Sequence, residues 1–277
     1  MKVLGIALCL TVTFAAPSRA QERSPLIVMY VSTAFSGAWT AFVLYDDGLV
    51  IRCDTTAADP KNPFSPPNYA SALLSPTQRD SIVALLQPDS EFSSLGSYYD
   101  SNRYYGLSMT DGTTYTLHFW LKGEEKVVSV YGAIDSAEGL GSLAYAVAHK
   151  GAPRSLLALV REHVKIRDLL SHPLPGQHPW LPDSVDVTLE SGQYVGGGSK
   201  WPASWPAPGA AGVACTPLHS ASRSPIDSVC VLRLPSTQLR RLRGLVSRKV
   251  GWQVRIRGQG WGFSYRLPLP ADSMWRY

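Results

Sequence analysis

The residues in this chain best suited to chemistry are its six histidines: His118, His149, His163, His172, His178 and His219. None stands in a His-x-x-x-His arrangement with a neighbouring Glu, so the two-imidazole helix of a zinc protease is excluded. His172 and His178 follow His163 across a Pro-rich stretch; exposed loop histidines are the simpler reading of that spacing than a metal site. Gly262-Phe-Ser264-Tyr-Arg266 begins like a nucleophile elbow but lacks the closing glycine, and no Ser-x-x-Lys occurs. Gly196-Gly-Gly-Ser-Lys200 lacks the Walker spacing, and Trp201-Pro202 follows where a helix should begin, so it reads as a flexible loop. The acid pairs Asp46-Asp47 and Glu124-Glu125 fall at expected hairpin turns, where solvation keeps carboxylates ordinary. These residues name no catalytic group, no metal and no cofactor.

Three cysteines lie beyond the first twenty residues: Cys53, Cys215 and Cys230. Cys215 and Cys230 bracket a Pro/Ser-rich stretch, and closing a loop of that length stabilises by about 3 kcal/mol in the chain-entropy description. Their pairing is the expectation. Cys53 is either a buried small apolar group or a staple to one of the other two. The absence of Cys-x-x-Cys removes support for a thiol-redox or zinc-ribbon site.

The charge pattern carries the strongest functional signal. The formal charge of +5 is unevenly spread: residues 231–277 hold ten Lys or Arg and a single acid, Asp272. Alternation in Trp252-Gln-Val-Arg-Ile-Arg257 puts Arg255 and Arg257 on the face opposite Val254 and Ile256. The returning strand adds Arg266 to that face, and Arg240, Arg241, Arg243, Arg248 and Lys249 crowd the preceding helix. Arg240, Arg241, Arg243, Arg255, Arg257 and Arg266 are therefore the candidate anion- or partner-binding residues. The partner expected is an anionic envelope component or an acidic protein; an Arg-rich solvated face is the bland counterpart.

Positioning these residues needs elements, and the chain supplies them in order. Leu26 to Val31 is a buried strand. Ala41 to Cys53 folds back at Asp46-Asp-Gly48 as a hairpin, and 55–69 is a loop. Ser75-Pro-Thr-Gln78 is a capping box with Pro at N1, opening a helix that buries Ile82, Val83, Leu85 and Leu86. Tyr115 to Leu121 returns as Lys126 to Tyr131 around Lys122–Glu125. A helix runs from Pro153 to about Leu170, with Leu156, Leu157, Val160, Val164 and Leu169 at helical spacing. Val185 to Leu189 is a strand, and 194–216 is Gly/Pro-rich and irregular. Ser228 to Arg233 is a strand, Ser236 caps a helix burying Leu239, Leu242, Leu245 and Val246, and a hairpin closes around Arg257–Gly260. The fold class expected is α+β: antiparallel β-hairpins packed with a few helices, with two similar strand-helix-hairpin halves. The divisions are 21–170, an irregular 171–216 with one strand, and the basic 217–277, which joins 21–170 in one domain on one reading.

Lys2, the uncharged run Val3 to Ala16, Pro17 and Ser18-Arg-Ala20 have the three parts of a secretory signal in order. The run of 14 residues is short of the ~20 that span a bilayer. Leu8 before Cys9 does not suit lipid attachment. The expectation is cleavage near Ala20, a secreted or periplasmic protein with no membrane span afterwards, and no nucleic-acid partner. Tyr45-Asp-Asp-Gly48-Leu-Val-Ile51, Thr110-Asp-Gly-Thr-Thr114, Val128-Ser-Val-Tyr131, Trp205-Pro206, Cys230-Val-Leu and Tyr265-Arg-Leu-Pro-Leu-Pro270 resemble segments of uncharacterised exported bacterial proteins and lipoproteins. Gly112 departs from the Pro of that group, and the lipid-anchor cysteine of many members is missing. The resemblance implies export and a related fold, and no activity. The functional expectation is a non-catalytic binding or envelope-associated module; the alternative is a secreted hydrolase assembled from His118, Asp111 and a Ser.

Overall fold

The computed structural model describes residues 23–33, 37–54, 68–100, 113–132, 147–148, 151, 153–192, 198–217, 226–245 and 253–275. The signal segment, Asp111, Arg248, Lys249, Val246, His149 and His219 lie outside these, as do Trp252 and most of the 55–69 loop. Among the described residues, fourteen strands and four short helices form an α+β fold built from hairpins.

The strands divide into two sheets. The large one has the order β5-β7-β6-β1-β2-β3-β4-β8: β1 is Pro25–Thr33, β2 Gly37–Tyr45, β3 Leu49–Asp54 and β4 Asn68–Leu73, while β5 is Tyr98–Asp100, β6 Thr114–Leu121, β7 Glu124–Tyr131 and β8 His178–Trp180. The small sheet has the order β10-β13-β14-β9-β12-β11: β9 is Ser184–Gly192, β10 Ser199–Lys200, β11 Ala214–Pro217, β12 Ile226–Pro235, β13 Gln253–Ile256 and β14 Gln259–Arg266. Among the described residues, every strand pair is antiparallel except β5 with β7 and β10 with β13. The segment 171–216 thus contributes to four strands, not one.

Turn chemistry sets the hairpins. Gly48 carries φ +86°, and a Cβ there would sit 2.7 Å from the Leu74 carbonyl oxygen, so only glycine closes β2 onto β3. The β6–β7 turn is just Lys122-Gly123, both at positive φ, as the twist of paired strands prefers. Glu124 and Glu125 therefore belong to β7, where they are exposed, rather than to a turn. Arg257-Gly258 closes β13–β14 in the same way.

The large sheet is covered on both faces. One face (Ile27, Met29, Phe42, Leu44, Val50, Leu117, Phe119) packs against helices α1 (Pro76–Leu86), α2 (Ser90–Ser93) and α3 (Leu156–Ser171). The capping box at Ser75 forms with both hydrogen bonds, but Leu85 points to solvent while Ile82 and Leu86 are buried. On α3 the buried stripe runs Leu156, Leu159, Val160, His163, Ile166 and takes in Glu162; Leu157, Val164 and Leu169 are only half-buried. The other face (Val28, Val43, Tyr45, Ile51) shares a core with Val185, Val187, Leu189, Leu232, Val254, Ile256, Phe263 and Tyr265 of the small sheet. Helix α4 (Leu239–Arg243) adds Leu239 and Leu242 to that core, followed by Leu245. It is one turn long and follows a 3-10 turn at Ser236–Gln238, with no side-chain cap from Ser236. The chain end ties the sheets: Tyr45 Oη donates to the Pro270 carbonyl at 2.8 Å, and the buried Trp275 Nε1 donates to Thr40 Oγ1 at 3.3 Å.

Candidate functional site

The β13–β14 hairpin positions the basic residues. Val254 and Ile256 point into the shared core, so Arg255 between them is exposed on the outer face of the small sheet. Arg257 does not share that face, because it occupies the first position of the turn at φ +50°. Arg266 lies six residues from Gly260, the residue opposite Arg255, about 20 Å along the strand at 3.3 Å per residue. It is also committed: its guanidinium meets Asp186 at 2.7 Å and Asp272 at 2.6 Å. Asp186 faces Arg233 as well, at 3.0 Å. Both acids are nearly buried, so Arg266 braces β14, β9 and the C-terminal turn against one another.

The helix arginines have other surroundings. Arg241 lies over the ring of Trp205 at 5.6 Å, a cation–π placement that holds its guanidinium in register. Trp205 is buried, donates to Gln238 Oε1 at 3.1 Å, and meets Trp201 edge-on at 5.0 Å. Arg243 reaches across to the large sheet, donating to Asn68 Oδ1 at 2.6 Å. Arg240 is exposed. Among the described residues, Arg240, Arg241, Arg243, Arg255 and Arg257 form no ion pair, in contrast to Arg233 and Arg266.

A further cation belongs with them. In the parallel β10–β13 pair, Lys200 is the direct neighbour of Arg255, and both are exposed. Strands pair about 4.8 Å apart, so two like charges stand side by side, an arrangement that destabilises unless an anion answers it. The approach depends on Gly198: a Cβ there would lie 2.8 Å from the Val254 carbonyl carbon. The segment 198–200 is therefore a docked edge strand rather than a flexible loop. Sequence reading missed Lys200 because its neighbour is set by a pairing between residues 55 apart; the available signal was a glycine run ending in Ser-Lys before Trp-Pro.

The other chemistry-bearing residues are absorbed by structure. Cys215 and Cys230 stand opposite each other in β11 and β12 and form a disulfide. Cys53 is free, faces Tyr69 across β3–β4, and burial pushes its thiol up to about 12, with Asp54 adding to the effect. That thiol stays protonated and unreactive near neutrality. His118 is 1% exposed and stacks on Trp120 at 5.2 Å; desolvation pulls its pKa down to about 4, so the imidazole is neutral. His163 packs edge-on to Tyr115 at 4.8 Å, and His172 follows the last turn of α3, 2.8 Å from Ser171 Oγ. His178 Nε2 lies 3.2 Å from Ser71 Oγ, a nucleophile–base distance. Ser71 is 2% exposed beneath the cross-strand pair, and the second ring nitrogen faces the Gly176 carbonyl at 3.3 Å, so the contact fastens β8 to β4. Among the described residues no three His, Cys, Asp or Glu side chains converge for a metal.

Two buried charges were also missed. Arg52 in β3 donates to the carbonyls of Leu170 and His172 at 2.6 and 2.8 Å, taking up acceptors that the end of α3 leaves open. Glu162 is fully buried on α3 and accepts from Lys165 Nζ at 2.7 Å; burial raises its pKa, opposed by that lysine. No family model, no curated protein and no solved structure matches this chain.

Proposed function

We propose that the protein is an exported, non-catalytic binding module whose basic C-terminal surface takes an anionic component of the cell envelope. Export rests on the charged, apolar and small-residue parts of residues 1–20, a reading of sequence. Among the described residues no helix is long and apolar enough to cross a membrane. The observation that carries the binding reading is selective pairing. Arg233 and Arg266 have carboxylates beside them, whereas Arg240, Arg241, Arg243, Arg255 and Arg257 have none among the described residues, and Lys200 abuts Arg255. A surface that keeps its charges unpaired in two neighbouring places attracts counter-charge at long range and is sensitive to salt.

The hydrolase alternative gains nothing from His118. Its ring is sealed against Trp120, and Asp111 lies outside the described residues. The experiment is sedimentation of the protein with anionic envelope fractions at low and physiological salt. The quadruple variant Arg240→Glu, Arg241→Glu, Arg255→Glu, Arg257→Glu should stay in the supernatant while melting like the parent. Co-sedimentation unchanged in that variant rules the reading out. Arg266 is left intact because reversing it would disrupt the fold.

A further inference from the structure

The basic residues divide between two sides of one sheet edge. Lys200 and Arg255 leave the small sheet by its outer face, opposite Val254 and Ile256. Helix α4 lies on the inner side, because Leu239, Leu242 and Leu245 are buried in the same core as Val254 and Ile256. Short links join the two sides: Trp201 N donates to the Arg255 carbonyl at 3.0 Å, Ser199 Oγ donates to the Leu245 carbonyl at 2.9 Å, and Trp201 touches Trp205, on which Arg241 rests. The exposed cations thus lie on both sides of the β10–β13 edge rather than on one face.

That geometry selects among anions. A single phosphate or carboxylate needs donors that converge on one point, as a guanidinium fork does with a planar acid. A lipid surface is flat at this scale and meets the outer face or the rim, but not both together. A chain with a charge on every unit can bend round the edge and be held on each side. Resting on the binding reading above, we infer that the ligand is a flexible linear polyanion crossing the β10–β13 edge, gripped outside by Lys200 and Arg255 and at the rim by Arg240 and Arg241. Gly198 is the positioning residue, since its missing Cβ lets β10 seat against β13. Phosphate and carboxylate polymers share this chemistry, and the assay separates them.

Binding of the full chain is measured for tripolyphosphate against long-chain polyphosphate, for a galacturonate trimer against polygalacturonate, and for vesicles of phosphatidylglycerol and phosphatidylcholine. Long chains should bind about tenfold or more tighter than short ones at equal anionic-group concentration, because the second contact becomes intramolecular. Lys200→Gln with Arg255→Gln, and separately Arg240→Gln with Arg241→Gln, should each abolish that gain and leave short-chain binding within about threefold. These neutral changes avoid a folding defect, and a melting curve for each variant checks it. Whichever polymer shows the length gain identifies the source of the charge. Equal affinity for long and short chains, or a gain lost in only one double variant, overturns the edge-crossing ligand. Vesicle binding that depends on one pair alone does the same while leaving the basic-surface reading in place. Failure to bind any of the five probes sinks both.

Discussion

The two sheets of this protein are stabilised by different means. In the large sheet Thr40 to Tyr45 are all buried, since helices lie on one face and the small sheet on the other. In the small sheet Val185, Val187 and Leu189 are buried in alternation with half-exposed Thr188 and Glu190, because only the inner face is covered. A sheet buried on both faces is held mainly by apolar packing. A sheet with one open face carries polar groups outward, and here it adds a disulfide and the Asp186–Arg266–Asp272 bracket. The open face and its edge are also where Lys200 and Arg255 are exposed side by side. The terminal hairpins show a further difference. Both close with a two-residue positive-φ turn and both receive a parallel outer strand, β5 on β7 and β10 on β13. Yet the leading strand β6 borders the centre of the large sheet, while the trailing strand β14 borders the centre of the small one. The strand-helix-hairpin order is thus common to both regions, and the insertion is reversed.

This contrast can be tested by loosening one sheet at a time. The largest effect is expected from Arg266→Glu, which removes two ion pairs and sets a third carboxylate beside two that are nearly buried. About 4 kcal/mol of stability should be lost in urea unfolding, with amide exchange accelerating in β9 and β14 before β1 and β2. Uniform acceleration across both sheets would show that they do not loosen separately. Reducing Cys215–Cys230, or replacing both by Ser, should cost about 3 kcal/mol through the 15-residue separation it closes. The added exchange should concentrate in β11 and β12.

Acid should act on the other sheet. His118 titrates near 4 in the fold against about 6.5 unfolded, so the unfolded chain binds the extra proton first. Its contribution is intact above the unfolded value and is lost as pH falls from about 6.5 through 4, reaching about 3 kcal/mol when the ring is protonated in both states. His118→Leu should flatten this part of the stability–pH curve relative to the parent, with β6 as the reporter. An unchanged slope would place the acid sensitivity elsewhere. Glu162 acts in the opposite sense: burial raises its pKa, so the folded state binds the proton first and its stability contribution grows as pH falls through that raised value.

Local features were legible in the residues where local chemistry decides them. The Asp-Asp-Gly hairpin, the Ser75 capping box and the Cys215–Cys230 pairing needed only neighbours in sequence or alternation along a strand. The apolar side of α3 was legible, since Leu156 and Val160 are buried and Leu157, Val164 and Leu169 pack against the core, but Glu162 and His163 enter that core beside Lys165 and Tyr115, against their polarity. The candidate surface was half legible. Clustering of arginine is a property of composition, but which arginines are spent on acids depends on Asp186, some eighty residues from Arg266.

The sequence by itself determined the two kinds of strand, through runs that are apolar throughout and runs that alternate, along with the turns, the cap and the excess of positive charge at the C-terminal end. Only the tertiary structure decided that Arg266 is a brace and Arg257 a turn residue, that Cys53 stays a protonated thiol, and that Lys200 stands beside Arg255. Turns and caps are settled by interactions across a few residues. Pairing between distant strands is settled by register and close approach, as at Gly198, and it is this pairing that sets which charges meet an acid and which stay exposed.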